Sequence, residues 1–217
     1  MNAMTQTTGT PSAYQEELFP VETIIRTETV FTRHPIHQLS NSATLPIDIH
    51  GKTEAGKSTL WSVTYNQEFG PPRQLAYQID TLVINRRIDE APRPLPEVLK
   101  VAGSLREICR QLGRSEKDTE HVKRALFQNA SAFVLAKQTY RSVSGQESDL
   151  TFGGTRYSIV LAGEQFPTGT KADGVYVVLN KAYRDALNGI PRRPLDYDYL
   201  RFLPASSQRL YELLSFH

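Results

Sequence analysis

One stretch restricts the fold more than any other: Gly103 to Tyr140, GSLREICRQLGRSEKDTEHVKRALFQNASAFVLAKQTY. Leu105, Ile108 and Leu112 recur at i, i+3 and i+7, which predicts a helix of about ten residues with one apolar stripe. Ser104 can cap its start, and Gly113 stands where a helix C-terminus favours a left-handed residue. Ser115 or Asp118 can cap a second helix after that turn. In the second helix Val122, Ala125, Leu126 and Phe133 are expected to share one buried face. Two helices joined by a short glycine-containing turn make a helix-turn-helix pattern, whose second helix is the one that enters a DNA groove.

The opposite face of that helix carries Lys117, Glu120, Arg124, Phe127, Gln128 and Ser131. Lysine and arginine neutralise phosphates, and arginine and glutamine can also pair with guanine and adenine edges. Residues 99–141 hold nine Lys/Arg against four Asp/Glu, whereas the whole chain carries a net charge of only +2. The charge is therefore local. The DNA-contacting candidates in this segment are Ser115, Lys117, Lys123, Arg124, Gln128 and Ser131, with Arg124 and Gln128 as base readers and Ser131 marginal. A plain helical hairpin with a solvated charged face would share the pattern.

After the second helix the period changes from 3.6 to 2. Phe133 to Arg141 and Thr155 to Ala162 read as two alternating strands around the polar turn SVSGQESD. A hairpin directly after a recognition helix is the wing of a winged-helix fold, so Lys137, Arg141 and Arg156 are expected wing contacts to DNA. The alternative is a hairpin that merely completes the sheet.

The remaining segments frame this unit. Residues 1–15 are polar and small and read as disordered. Glu16 to Phe31 suggests a strand or arm, and Leu75 to Arg87 a helix ended by DEAPRPLP. GVYVVLN reads as a strand before the helix KAYRDALNG, and IPRRPLDYDYL as a linker. PASSQRLYELLSF starts a last helix capped by Ser206 or Ser207, with Leu210, Leu213 and Leu214 as its apolar stripe. Gly51, Gly56, Lys57 and Ser58 match the phosphate-loop pattern, but TLWSVTYN after them alternates as a strand would. Without a helix after Ser58 there is no N-terminal dipole for phosphates, so a β-hairpin is expected and nucleotide hydrolysis is not. His34 and His37 lack nearby cysteines or carboxylates and make a poor zinc site. Asp196 and Asp198 read as capping or solvated acids rather than a catalytic pair. Cys109, the single cysteine, reads as a small core filler and excludes a disulfide framework. No apolar run reaches membrane-span length, and no signal peptide is visible, which points to the cytoplasm. No catalytic residue, metal or cofactor is expected.

GSLREICRQLGRS, TRYSIVL and, above all, LPASSQRLYELLSF after LDYDYL resemble plasmid replication initiators of the Rep type. The RLYELL segment, Arg209 to Leu214, is the most telling match, and the likeness spans residues of about 75 to 217. The resemblance implies two related winged-helix domains, binding to repeated origin DNA, a dimer–monomer switch and recruitment of host replication factors. The expected fold class is α+β: a winged helix with an N-terminal β-hairpin extension and a C-terminal helix. Residues 16–190 would form the winged-helix domain, and 191–217 a linker and the first helix of a second such unit. Double-stranded DNA is the expected partner, with no membrane. The alternative from another class is a dimerisation or protein-interaction module, or a transcriptional regulator without initiator activity; Phe127 on the DNA-facing side suits an interface better than base reading.

Overall fold

A computed structural model describes residues 24–40, 46–53, 56–141, 144–190 and 192–215. The disorder expected of residues 1–15 lies outside them. The described residues are α+β, with three antiparallel sheets and helices packed between and beside them. No described helix is long and apolar enough to cross a membrane.

The first sheet is a short pair, β1 (Ile24–Glu28) with β9 (Arg192–Asp196), so the segment expected to be a linker is instead a strand. Helix α1 (Thr29–Arg33) comes directly after β1. The second sheet has the order β2-β3-β5-β6: β2 (Ile47–Lys52), β3 (Ser58–Thr64), β5 (Phe133–Arg141) and β6 (Glu147–Thr155). Its inner face buries Trp61, Val63, Val134, Ala136 and Phe152. Trp61 has its indole N–H satisfied by the Pro35 carbonyl oxygen at 2.8 Å, as a buried tryptophan needs.

The phosphate-loop residues lie in the β2–β3 hairpin, with Gly51 opposite Thr59 and Lys52 opposite Ser58. Gly56 takes φ 76° at the turn, a conformation in which glycine carries no Cβ penalty. A strand follows Ser58, and the Lys57 ammonium pairs with Glu147 at 3.1 Å and Asp149 at 3.5 Å.

The third sheet has the order β4-β8-β7, made by β4 (Val98–Ala102), β8 (Val175–Leu179) and β7 (Tyr157–Val160). Against it pack α4 (Leu105–Gln111), α5 (Thr119–Ser131) and a helical run comprising α2 (Gln74–Ile79), a π-helical turn (Asp80–Ile84) and α3 (Asn85–Glu90). Ile79, Ile84, Ile88, Val101, Ile108, Cys109, Val122, Leu126 and Val177 form their shared core, which is continuous with that of the second sheet. Ser104 caps α4, its hydroxyl accepting from the Glu107 N–H at 3.2 Å, while the Glu107 carboxylate accepts from the Gly103 N–H at 2.7 Å. Such reciprocal capping stabilises a helix by about 1 kcal/mol. Gly113 ends the α4 turn at φ 65°.

The expected wing hairpin is corrected. Strand β5 pairs not with residues 156–162 but with β6, in a register from Phe133 opposite Thr155 to Arg141 opposite Glu147. Tyr157 to Val160 belongs to the other sheet and pairs with β8. The reason is visible in β6, where Ser148, Leu150 and Phe152 point inward while the chain reads polar because of Glu147, Asp149 and Thr151. Phe133, expected on the buried face of α5, begins β5 and is 44% exposed.

The C-terminal region closes over α2. Helix α6 (Lys181–Gly189) buries Tyr183 and Leu187, and α7 (Tyr197–Phe202) is capped by Asp196, whose carboxylate accepts from the Tyr199 N–H at 2.9 Å. Helix α8 (Ala205–Leu214) packs on α2 and α7 with an unexpected face. Gln208 and Glu212 are buried, whereas Leu210, Leu213 and Leu214, the expected core stripe, are 57%, 38% and 63% exposed. Gln208 donates to the Leu200 carbonyl at 2.9 Å and Arg209 to the Thr32 carbonyl at 2.6 Å, so polar groups fasten this helix. Pro204, not Ser206 or Ser207, stands at its N-cap.

Candidate nucleic-acid interface

Ser115 stands at the turn into α5, its hydroxyl accepting from the Lys117 N–H at 3.3 Å at the head of a 3-10 turn (Glu116–Asp118). Lys117 is exposed in that turn, and along the outer face of α5 Arg124 is exposed and Lys123 half-buried. None of the three makes an ion pair among the described residues. Neighbouring Arg110 and Arg114, by contrast, pair with Glu116 at 3.4 Å and Asp118 at 3.3 Å. The available positive charge therefore lies on the first half of α5, with the exposed acid Glu120 beside it.

The second half of that face is covered. Phe127 stacks on Phe69 with ring centroids 5.3 Å apart, and Gln128 Nε2 donates to the Phe69 carbonyl at 2.9 Å. The turn at Asn66–Gly70, held by a Gly70 N–H to Asn66 carbonyl bond of 2.8 Å, brings Phe69 there. Gln128 thus spends one amide donor on the protein itself. Ser131 donates to the Gln128 carbonyl at 3.4 Å within the helix. Phe127 is half-buried and lines a surface depression with Phe69, Glu120, Lys123 and Arg124.

Of the three expected wing residues, Lys137 is exposed on the outer face of β5, opposite Leu60 and Thr151. Arg141 ends the same strand, and its side chain lies outside the described residues. Arg156 is corrected: it is 3% exposed and sits inside the protein, not on a ribbon. Its Nη1 donates to Asp80 Oδ2 at 2.5 Å, and Tyr157 donates to Asp80 Oδ1 at 2.7 Å. His37 Nε2 lies 3.6 Å from the same carboxylate and donates to Asn129 Oδ1 at 2.9 Å. Asn129 in turn donates to the Ala76 carbonyl at 2.8 Å. Burial opposes ionisation of Asp80, but the Arg156 guanidinium prevails and holds its carboxyl below the usual range. Burial drives His37 the other way, down to about 4, so the ring is neutral at pH 7.

Sequence reasoning passed over one exposed basic position, on a connection whose first residues lie near α5. The connection between β7 and β8 runs from Leu161 to Gly174 and carries exposed Lys171, tied back by a Gln165–Lys171 bridge. Leu161, Ala162 and Glu164 share a surface depression with Arg106, Glu120 and Lys123. The run GEQFPTGTKADG is rich in glycine and proline and signals a loop, but nothing in it signals proximity to α5. Among the described residues no group of three His, Cys, Asp or Glu side chains could hold a metal ion.

No family model matches the chain, and no curated protein matches it in sequence. Among solved structures it is similar to domains 2 and 3 of RctB, with a TM-score of 0.47 and 11% identity, over 86% of this chain and 70% of that one.

Proposed function

We propose that residues 74–179 form a winged-helix unit that binds double-stranded DNA through the first half of α5. The single observation that carries this reading is the connectivity of the third sheet. Helix, strand β4, helices α4 and α5, then strands β7 and β8, with the last strand in the middle, is winged-helix order. Strands β5 and β6 are then an insertion between the third helix and β7. The wing becomes the 161–174 connection rather than the expected 133–162 hairpin. Lys117, Lys123 and Lys171 neutralise phosphates, and Arg124 is the base reader.

The resemblance of RLYELL to Rep-type initiators supports replication initiation at origin repeats as the task of this binding. The outward Leu210, Leu213 and Leu214 of α8 suit the first helix of a further unit. A second reading, a dimerisation surface, rests on Phe133 and Leu135, alternate residues of β5 that are 44% and 42% exposed on one sheet face. A mass that rises with concentration, without DNA affinity, would favour it.

Two comparisons test the proposal. Lys123→Glu is expected to weaken binding to any duplex by about ten-fold or more, because it places an acid beside Glu120 at the phosphates. Lys137→Glu, on the ribbon, should change it little; the reverse pattern in a binding titration would move the contact to β5. Arg124→Ala should cost about 1–3 kcal/mol on a preferred site and relax base preference there. Equal losses on preferred and scrambled duplexes would remove Arg124 as a base reader.

A further inference from the structure

A cavity of about 350 Å³ lies between α1, the π-helical turn and α8, away from the α5 face. That volume is at the small end of ligand pockets. Its apolar walls include Phe31, Leu39, Tyr77 and Tyr183, and its polar lining includes Arg33, Asp80, Arg156 and Arg209. Three features point to a ligand. The first is Arg156. Its Nη1 is committed to Asp80, but Nε and Nη2, both buried, have no hydrogen-bond partner among the described residues. Nε–H and Nη2–H form one edge of the guanidinium, the fork that receives two oxygens of a carboxylate or phosphate side by side. Buried donors left in this state are costly, so something ordinarily satisfies them.

The second feature is charge. Among the described lining residues Arg33 (itself exposed), Arg156 and Arg209 face Asp80 and Glu212, and the neutral His37 adds no charge, so cations outnumber acids by one. The third is the backbone. Asp80 and Thr81 reach the cavity from a π-helical turn, a widened geometry frequent at functional sites. A neutral ligand would leave the charge uncompensated, and a cation would add to it.

We propose that this cavity binds a small organic acid, its oxyanion on the free edge of Arg156 and its apolar body against Phe31, Leu39, Tyr77 and Tyr183. The site is separate from the DNA-facing helix, and the proposal stands whether or not that helix binds DNA.

The test is thermal denaturation and calorimetry of the full chain with benzoate and with phenyl phosphate, using inorganic phosphate as a head-group control. The expected result is a saturable rise in Tm with one or both aromatic acids, and binding at least ten-fold tighter than inorganic phosphate. Arg156→Lys keeps a cation beside Asp80 but has no fork, and should lose that binding by ten-fold or more. Leu39→Trp fills the apolar end without touching the ion pair and should abolish it; should either variant fail to fold, the other carries the test. No saturable rise with either acid would mean that water alone satisfies Arg156 and would overturn the proposal. Equal binding of inorganic phosphate and the aromatic acids, unchanged by Leu39→Trp, would mark a surface anion and overturn it too.

Discussion

Replacing Arg156 with alanine is expected to lower the unfolding free energy by about 3–5 kcal/mol, the cost of leaving a buried charge without its partner. Asp80 is 4% exposed and receives the Arg156 guanidinium at 2.5 Å and the Tyr157 hydroxyl at 2.7 Å. Without the guanidinium, the hydroxyl and a neutral His37 cannot replace the lost attraction, and Asp80 must either take up a proton or draw in water. The pair joins the π-helical turn to the start of β7, so its loss loosens the junction between the helical run and the third sheet. Urea denaturation gives the number. A buried ion pair is worth less than its breakage suggests, because both ions lose their hydration. Asp80→Leu combined with Arg156→Met should therefore recover most of the loss. A loss below about 1 kcal/mol for Arg156→Ala, on the scale of a surface pair, would show that the site is not the buried junction described here.

Acid should destabilise the protein well before its carboxylates titrate. The folded state holds His37 at a pKa of about 4, against 6.5 for the free side chain. Burial is the main cause, and the neighbouring Asp80 only partly offsets it. Between those values the unfolded chain binds the proton and the folded chain does not, so stability rises with pH across that window. The contribution is complete above pH 6.5 and is lost as pH falls towards 4, a change of about 3 kcal/mol at about 1.36 kcal/mol per unit. Asp80, with its folded pKa depressed, adds a loss in the same direction at still lower pH. His37→Gln keeps a donor for Asn129 Oδ1 and carries no titration. Its stability should fall less than the parent's from about pH 6.5 to 4.5, the remaining slope coming from His34, whose pKa burial also lowers. An equal slope in both would assign the pH dependence to other groups.

Local signals and distant partners explain which parts of this fold were legible in the sequence. Helix α4, the Gly113 turn and α5 come from spacing within a dozen residues and from one cap, and the β2–β3 hairpin from alternation after Ser58. The partner of β5 did not, because β6 hides a buried Phe152 among Glu147, Asp149 and two glycines. Periodicity in α8 gave a leucine stripe but not its direction. Gln208, Arg209 and Glu212 take the inner face because carbonyls of Leu200 and Thr32 wait there. Arg156 reads as a surface cation beside a strand because its carboxylate partner lies 76 residues earlier. Gln128 fits a base-reading position on the helix, and only the Phe69 turn, 59 residues away, occupies it. The basic first half of α5 is the portion of the predicted interface that the fold leaves open.

That open face makes a salt titration the most direct measurement. Fluorescence anisotropy of the full chain with a short random duplex, from low to moderate salt, should show binding whose logarithm falls linearly with the logarithm of salt. With Lys117, Lys123 and Lys171 on phosphates, the slope should be about −2 to −3. No binding at the lowest salt, or binding indifferent to salt, would contradict the DNA-binding account and leave the exposed sheet face of β5 as the functional surface.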